Sequence, residues 1–294
     1  MPLYKTVPVN GKELFGGNNT MQVRNDKGII KWILIGISAL FLITMLVLPL
    51  LYVIITALRD GFAAYQNAVT DSYALKSIGL TVKVTVITVV VNSVFGLFAA
   101  WLITRFQFRG KKIISTIMDL PLSISPVIAG LVFLLTFGRQ SIIYPFLEAH
   151  DIQIIFAQPG IILATVFVTL PFISRELIPV LTVIGNEEEE AAALMGANGF
   201  QIFTQITFPH IRWAYLYGVV LCSARAMGEF GAVSVLSGHL RGLTNTMPLH
   251  IELLYQGFDF TGAFAMSSIL IVMAVIILIL RNLLEYRGKK ELET

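Results

Sequence analysis

Two charged side chains lie within an otherwise apolar stretch of the sequence. Arg225 and Glu229 fall in the run 213–236, and a spacing of four residues places them on one face of a helix. The pair can neutralise itself as a structural salt bridge, or the arginine can attract an anion where the carboxylate does not cancel its charge. In the second interpretation, Gly228 and Gly231 let this face bend and approach a neighbouring helix closely. The sequence leaves both interpretations open.

Two serines lie between prolines in an earlier apolar run. Ser123 and Ser125 fall between Pro121 and Pro126, residues that interrupt regular helical hydrogen bonding. Irregular backbone at membrane depth is tolerated only where protein or water covers it, so this segment is expected beside an interior cavity. The two hydroxyls are candidates for lining a path for a polar substrate, and a simple kink explains the prolines equally well.

No pattern for catalysis accompanies these residues. The sequence has neither a Gly-x-x-x-x-Gly-Lys-Ser/Thr phosphate loop nor a His-Glu-x-x-His metal site, and Cys222 is its single cysteine. An intramembrane enzyme is the alternative from a different class, and it would need a Ser-His pair, an aspartate dyad or metal ligands at membrane depth. Asp119 is a lone carboxylate, and the four histidines lie at or beyond the ends of apolar runs. We therefore predict no catalytic residue, no metal site and no cofactor bound by this chain.

The composition indicates which elements must position these side chains. Of the 294 residues, 56% are hydrophobic and 13% are charged, and the mean hydropathy of +0.78 is far above that of an ordinary soluble domain. The net charge of +3 gives nucleic-acid binding little support. A helix needs about 20 apolar residues to cross the hydrocarbon core. The predicted fold is an all-α polytopic membrane protein with six transmembrane helices, over 32–58, 84–104, 120–138, 152–174, 213–236 and 260–280.

Basic residues collect in alternate loops and predict the orientation. Lys and Arg precede the first span, separate spans two and three, bracket the loop between spans four and five, and follow span six. Because cytoplasmic loops carry the excess of Lys and Arg, both termini and the loop 180–212 are predicted to be cytoplasmic. The first apolar run begins too late and is too long for a cleaved signal peptide. The predicted terminal segments are a tail over 1–28, a first transmembrane helix over 29–58 and a C-terminal tail over 284–294.

The loop 180–212, which we name the coupling loop, contains a polar island between two apolar spans. Four glutamates, Glu187 to Glu190, suit the first turn of a short helix, and Asn186 is predicted to cap it with Glu189 completing a capping box. The alanines that follow are strong helix formers and leave a shallow surface that a partner can approach closely. A solvated acidic loop is the simpler alternative.

A turn and a second helix are predicted to follow this island. Gly196 offers the positive φ that ends a helix and turns the chain. The residues 200–208 alternate apolar and polar side chains with helical spacing, and Pro209 is predicted to break this helix before the next span begins. Two short helices joined by a glycine turn suit a docking surface for a soluble protein.

The spacing within the coupling loop resembles the EAA signature of permease subunits in bacterial ABC importers. That signature is Glu-Ala-Ala, three residues, Gly, nine residues and Ile-x-Leu-Pro, and this sequence departs from it only at Phe208, which keeps an apolar side chain. The resemblance implies a type I (MetI-like) core of five helices over 75–283, preceded by one extra helix. It also implies that the loop docks on a separate cytoplasmic ATPase. The residues to which it assigns this coupling are Glu189, Glu190, Ala191, Ala192, Gly196, Ile206, Phe208 and Pro209.

Further strings resemble importers of oxyanions. The string Arg225-Ala226-Met227-Gly228-Glu229-Phe230-Gly231 is similar to permeases for sulfate and for molybdate, and the strings from Ser237 to His250 are similar to W-type permease subunits of sulfate/thiosulfate importers. The resemblance implies a multi-pass subunit of the bacterial cytoplasmic (inner) membrane that translocates sulfate or thiosulfate by alternating access. An importer of molybdate or tungstate is the alternative.

The same resemblance implies the partners of the chain. They are a T-type permease subunit that completes a heterodimer, two ATPase subunits that hold ATP and Mg, and a sulfate-binding protein outside the membrane, with lipid around the spans and no nucleic acid. From their predicted position outside the membrane, His239 and Arg241 are candidates for docking the binding protein. The candidates for the translocation pathway are Arg225, Glu229, Ser123 and Ser125.

Overall fold

The computed structural model describes residues 29–292, with the side chains of residues 31–286, so the predicted tail 1–28 and residues 293–294 lie outside the described residues. Within this part of the chain every regular element is helical, as predicted. The α-helices, numbered in chain order, are α1 Ile29–Leu42, α2 Leu48–Ala57, α3 Phe62–Thr70, α4 Ser72–Arg105, α5 Lys111–Ser123, α6 Pro126–Phe137, α7 Tyr144–Ala149, α8 Gln158–Thr169, α9 Pro171–Ile184, α10 Glu187–Leu194, α11 Gly199–Ile202, α12 Phe208–Met227, α13 Gly231–Ser237, α14 Met247–Gln256 and α15 Phe260–Leu292.

Six spans are present if each strongly bent helix pair is counted as one. Four helices are long and apolar enough to cross a membrane without interruption: Lys31–Ala57, Ser72–Arg105, Gln158–Ile184 and Phe260–Tyr286. In addition, α5 and α6 meet at 109°, and the helix Gly199–Met227 meets α13 at 50°. This count agrees with the predicted all-α fold of six spans.

The second span begins well before its apolar run. The helix α4 starts at Ser72 rather than at Val84, because the carboxylate of Asp71 caps it. That carboxylate accepts the N–H of Tyr73 at 2.8 Å and the N–H of Ala74 at 3.3 Å. A polar cap thus extends the helix beyond the stretch that hydropathy detects.

In the described residues, two π-helical stretches stand at the same distance before a proline. Ile43–Val47 ends two residues before Pro49, and Phe203–Thr207 ends two residues before Pro209. A proline inside a helix lacks an N–H and its ring clashes with the carbonyl four residues earlier, and a wider turn at that point relieves the clash. The helix therefore continues through Pro209 from Gly199 to Met227, and the prediction that Pro209 breaks it is wrong.

The first apolar helix, from α1 through Ile43–Val47 into α2, belongs for most of its length to a compact unit of its own. The second unit, from Val53 onward, has a core where α4, α9 and α12 pack together. A Cβ on Gly218 of α12 would lie 3.1 Å from Cα of Ile173, so a glycine is needed for α12 to approach α9 this closely. The buried side chains of this core are Ala100, Ile173, Leu177, Leu181, Ile211 and Cys222.

The two bent helix pairs touch at their bends. A Cβ on Gly231, at the start of α13, would lie 3.0 Å from Cβ of Pro126, at the start of α6. The bend between α5 and α6 therefore lies beside the bend between α12 and α13. This contact brings the two groups of predicted pathway residues, at 123–125 and at 225–229, to one region of the fold.

Candidate coupling loop and translocation face

The first helix of the coupling loop, α10, begins with the predicted glutamates. Glu187 to Glu190 form its first turn, where the positive end of the helix dipole stabilises their negative charges. The side chain of Asn186 accepts no hydrogen bond from this turn and donates one to Glu190 instead. The predicted cap and capping box at Asn186 are therefore wrong, because Glu189 bonds to partners outside α10.

The turn after α10 depends on Gly196. Its φ is +92°, a conformation that favours glycine. The N–H of Gly196 donates to the carbonyl of Ala193, and the N–H of Ala197 donates to that of Ala192, both at 3.0 Å. These two bonds form a Schellman motif, which satisfies carbonyls that the helix end leaves free.

A capping box does form in this loop, one helix later than predicted. Asn198 and Gln201 each accept the other's backbone N–H at 2.9 Å and so fix the start of α11. From there the chain continues through the second π-helical stretch into α12. Of the predicted coupling residues in this part, Ile206 is half-buried, whereas Phe208 and Pro209 are exposed.

A part-buried ion pair anchors α10 to the transmembrane helices. Glu189 lies 2.8 Å from the Arg105 guanidinium, with side-chain exposures of 16% and 9%. The Thr207 hydroxyl donates to the same carboxylate oxygen at 2.8 Å, and Arg105 also donates to the Leu181 carbonyl at 3.0 Å. A charge-assisted pair with further hydrogen bonds is a strong contact, and it joins α10 to the end of α4, to α9 and to the helix that leads into α12.

The sequence analysis did not identify Arg105 or Thr207 as partners of Glu189. Thr207 is 18 residues from Glu189 and Arg105 is 84 residues away. No local spacing rule relates residues that far apart. A basic residue at the end of a span carries a signal for orientation only.

The opposite side of the loop leaves apolar side chains uncovered. Leu194, Met195 and Phe200 are 90%, 82% and 78% exposed, and we name these three residues the apolar tip. Among the predicted coupling residues, Glu190, Ala191 and Gly196 are exposed beside the tip, while Ala192 is buried beneath it. Exposed apolar groups next to carboxylates on short, well-anchored helices are typical of a surface that binds another protein.

The pair in the fifth span is formed, and its two members differ. Arg225 Nη2 lies 2.7 Å from Glu229 Oε2, with side-chain exposures of 32% for the arginine and 1% for the glutamate. The other carboxylate oxygen of Glu229 accepts the N–H of Ala232 at 2.9 Å and so holds the first turn of α13. Glu229 therefore has a structural role at the bend, and Arg225 retains an open side.

The two predicted serines lie at the other bend. Ser123 ends α5, Ser125 precedes α6, and both side chains are exposed. Ser125 makes no capping hydrogen bond to α6, although it holds the N-cap position. Because Pro126 touches Gly231, these hydroxyls lie on the same side of the fold as the bend that carries Arg225 and Glu229.

His239 and Arg241 lie in the loop 238–246, beyond the end of the α12–α13 pair that is farther from the coupling loop. Both side chains are exposed, and His239 has a φ of +55°. The hydroxyl of Ser237 accepts the His239 N–H at 3.0 Å. The hydroxyl of Thr244 donates to the Ser237 carbonyl at 2.6 Å and accepts the N–H of Leu240 at 3.1 Å. The exposed part of this loop is thus held by bonds at both of its ends.

Relatives of known name agree with the resemblance found in the sequence. The chain is 47% identical over 257 residues to the sulfate transport system permease protein CysW of Escherichia coli K12, covering 87% of this chain and 88% of that protein. It is 45% identical to the CysW protein of Synechocystis, with coverage of 88% and 94%. The CysT sulfate permease of Salmonella typhimurium is 32% identical, with coverage of 86% and 91%. The predicted resemblance to W-type permeases, and the prediction of a transport subunit rather than an enzyme, are confirmed.

A solved structure and a family model are consistent with these relatives. A crystal structure of a bacterial alginate ABC transporter contains a chain that superposes on this one with a TM-score of 0.75, covering 89% of this chain and 95% of the other at 18% identity, which supports the fold alone. The family described as binding-protein-dependent transport system inner membrane component matches residues 92–290. This chain belongs to that family of inner-membrane transport components.

Proposed function

We propose that this chain is the W-type permease subunit of an ATP-driven importer that moves sulfate or thiosulfate across the bacterial inner membrane. The observation that carries the proposal is the 47% identity, over 87% of the chain, to a sulfate transport system permease. The exposed apolar tip and the bend beside Arg225 supply the two surfaces that such a subunit needs, one for a motor and one for a substrate. No relative reported above supports the molybdate or tungstate alternative.

The proposed complex contains a second permease chain. The identity of 32% to a T-type sulfate permease supports a heterodimer of two related subunits. Two ATPase subunits hold ATP and Mg and dock on the coupling loops, and a sulfate-binding protein delivers the anion from outside. The ATPase cleft receives the apolar tip together with Glu190 and Ala191, because these groups are exposed on one surface.

The proposed mechanism is alternating access driven through α10. The bias of basic residues supports a cytoplasmic coupling loop. When the ATPase subunits close, α10 moves as a rigid body, since Gly196 and the hydrogen bonds from the N–H groups of Gly196 and Ala197 fix the turn at its end. The contacts of Glu189 to Arg105 and Thr207 carry this displacement to α4 and to the helix that becomes α12. Nucleotide binding outside this chain thus supplies the free energy that reorients the spans.

The proposed path for the anion passes the two bends. Arg225 attracts the dianion through its open side, and Glu229 limits the strength of the attraction because it stays paired. The hydroxyls of Ser123 and Ser125 can donate hydrogen bonds to an oxyanion there. Weak binding suits transport, because a permease that holds its substrate tightly cannot release it. On the outside, Arg241 presents positive charge and His239 presents an imidazole ring to the binding protein.

Uptake of radiolabelled sulfate tests the proposed function. A strain that lacks this chain should regain uptake when the chain is restored, and a tenfold excess of unlabelled molybdate should leave that uptake unchanged. A strain in which only molybdate uptake depends on the chain would contradict the proposal. Restoring the chain with Gly196→Asp, matched for membrane level, is the control for uptake that depends on docking.

A further inference from the structure

A second arginine–carboxylate pair lies within the spans, on a surface that the chain itself leaves open. Arg175 Nε donates to Asp119 Oδ1 at 2.8 Å, which joins α9 to α5. The two side chains are 56% and 40% exposed. Among the described residues, the two Nη groups of Arg175 have no hydrogen-bond partner. One side of the guanidinium is therefore available to another group.

The pair lies inside helices that are long enough to cross a membrane, next to the coupling-loop ends of the predicted spans 152–174 and 120–138. Arg175 is nine residues from the end of the span at Ile184, and Asp119 is eight residues from the start of α5 at Lys111. At 1.5 Å per residue these positions lie roughly 12–14 Å inside the helix ends. Charged groups on a membrane-spanning helix are costly against lipid and by default face a protein interior or a water-filled cavity. The exposed side of the pair therefore faces the interior of the assembled transporter.

The position of the pair connects it to the bend that carries the serines. Asp119 and Ser123 are four residues apart on α5, hence on one face and about 6 Å apart along the helix axis. Ser123 leads into the bend at Pro126, which touches Gly231. A line of polar groups thus extends from the bends along α5 towards the end of the span at which the coupling loop lies.

The two arginines occupy different levels of the fold. Gly218 of α12 lies against Ile173 and Glu176 of α9, the residues on either side of the Arg175 level. Arg225 is seven residues further along α12, which places it about 10 Å beyond that level. The arginines are therefore separated along the membrane normal by more than the size of one sulfate ion.

We propose that Arg175 is a second binding station for the tetrahedral oxyanion, placed between Arg225 and the coupling-loop end of the path. The proposal rests on the proposed function, because it takes the substrate to be a sulfate-like dianion. The free Nη groups of Arg175 match two oxygens of such an anion in a bidentate arrangement. Asp119 competes with the anion for the same guanidinium, so each bound anion is released as the carboxylate regains its full interaction.

The test uses the complete transporter in proteoliposomes, with sulfate-loaded binding protein and both permease chains. Arg175→Gln should lower sulfate uptake at least tenfold while ATP hydrolysis stimulated by the binding protein stays within about twofold, so uptake per ATP falls. Arg175→Lys should restore part of the uptake, because it returns the charge without the bidentate geometry. Lys112→Gln, which removes an exposed charge near the start of the same helix α5, is the matched control and should leave both rates unchanged.

The double variant Arg175→Gln with Asp119→Asn separates this role from a structural one. If the arginine binds the anion, the double variant stays as deficient in uptake as Arg175→Gln alone. If the pair only neutralises itself or contacts lipid, removal of both charges restores uptake to near the wild-type rate, and the proposal is overturned. Wild-type complex that fails to transport sulfate would instead contradict the proposed function, whatever the variants do.

Discussion

The coupling loop and the loop 238–246 are held to the protein in opposite ways. The coupling loop is anchored mainly by a part-buried ion pair, Glu189 with Arg105, and leaves its apolar tip uncovered. In the loop 238–246, side chains bond to the backbone at both ends, and Thr244, Asn245 and Thr246 are buried. A loop that must transmit force needs one strong attachment and a free surface, whereas a loop that must present two side chains needs a fixed backbone.

The two loops also differ in the chemical type of their exposed polar residues. Carboxylates surround the tip of the coupling loop, while the exposed residues His239 and Arg241 of the other loop are basic. The two ends of the proposed transporter therefore suit partners of different surface chemistry. Substitutions in each loop should affect different steps. Three sets of substitutions and one change of pH test this contrast, from the largest expected effect to the smallest.

Replacing Gly196 should have the largest effect, because it alters the turn that fixes α10. A side chain at φ +92° is strained by roughly 1–2 kcal/mol, and aspartate adds a charge beside the apolar tip. Gly196→Asp should lower sulfate uptake and ATPase docking more than tenfold with unchanged membrane insertion. Gly199→Asp, at the start of α11 without a positive φ, is the control. Normal uptake by the Gly196 variant would contradict the role of the coupling loop.

Breaking the anchor of the coupling loop should have the next largest effect. Glu189→Gln or Arg105→Gln leaves a largely shielded charge without its partner, which is more costly than loss of an exposed pair. The ATPase should still bind, but transport should fall about tenfold and hydrolysis should no longer respond to the binding protein. Glu187→Gln, with an exposed carboxylate in the same turn, is the control, because Glu188 lies 3.7 Å from His210 of α12. Recovery in the exchanged pair Arg105→Glu with Glu189→Arg would show that the contact itself matters, and equal loss in the control would refute the anchor.

Changing the charge of the loop 238–246 should have a smaller effect on a different quantity. Exposed charges alter mainly the rate of association with a partner. Arg241→Ala should raise the binding-protein concentration for half-maximal uptake by about two- to fivefold, without changing the maximal rate. Arg139→Ala, an exposed arginine elsewhere, is the control. A lower maximal rate with unchanged half-maximal concentration would count against docking at this loop.

Lowering the pH should destabilise α14, the helix that follows the loop 238–246, because it contains the buried His250. We expect this to be the smallest of the four effects. Burial lowers the pKa of His250 below its ordinary value, as does Arg241, while Asp71 and Asp259 raise it to a lesser combined extent. Below about pH 6.5 the unfolded chain takes up a proton that the folded chain does not, so the free energy of unfolding falls as the pH decreases. The Tm of the purified complex should drop between pH 7.5 and 5.5. His250→Gln should flatten this drop and His239→Gln, at an exposed position, should not.

Patterns among residues that are close in the sequence predicted much of the fold and of the coupling loop. Apolar runs predicted the six spans, and Gly196 predicted the end of α10. The spacing of four residues predicted the pair Arg225–Glu229. Each of these features depends only on residues close together in the sequence. The errors arose where tertiary contacts prevail. Asn186 does not cap α10 because its side chain bonds to Glu190, and Glu189 does not complete a capping box because it bonds to Arg105 of α4. Pro209 does not end its helix because a π-helical turn accommodates the ring.

The pairs that connect distant helices could not be predicted from the sequence. Arg105 with Glu189 and Arg175 with Asp119 join residues 84 and 56 positions apart. In the sequence, each arginine indicated only the orientation of the spans. Asp119 was recognisable only as an isolated carboxylate. Which of them meet depends on helix packing, and no periodicity within one segment encodes that.

Because the helix from Gly199 to Met227 is continuous, a small rotation of it is enough to move the proposed path. Arg225 lies 26 residues beyond Gly199, or about 39 Å along one uninterrupted rod. A tilt of only about 5° shifts the level of Arg225 sideways by about 3 Å relative to the Gly199 end of this rod. The rotation that the proposed ATPase must impose on this helix is correspondingly small.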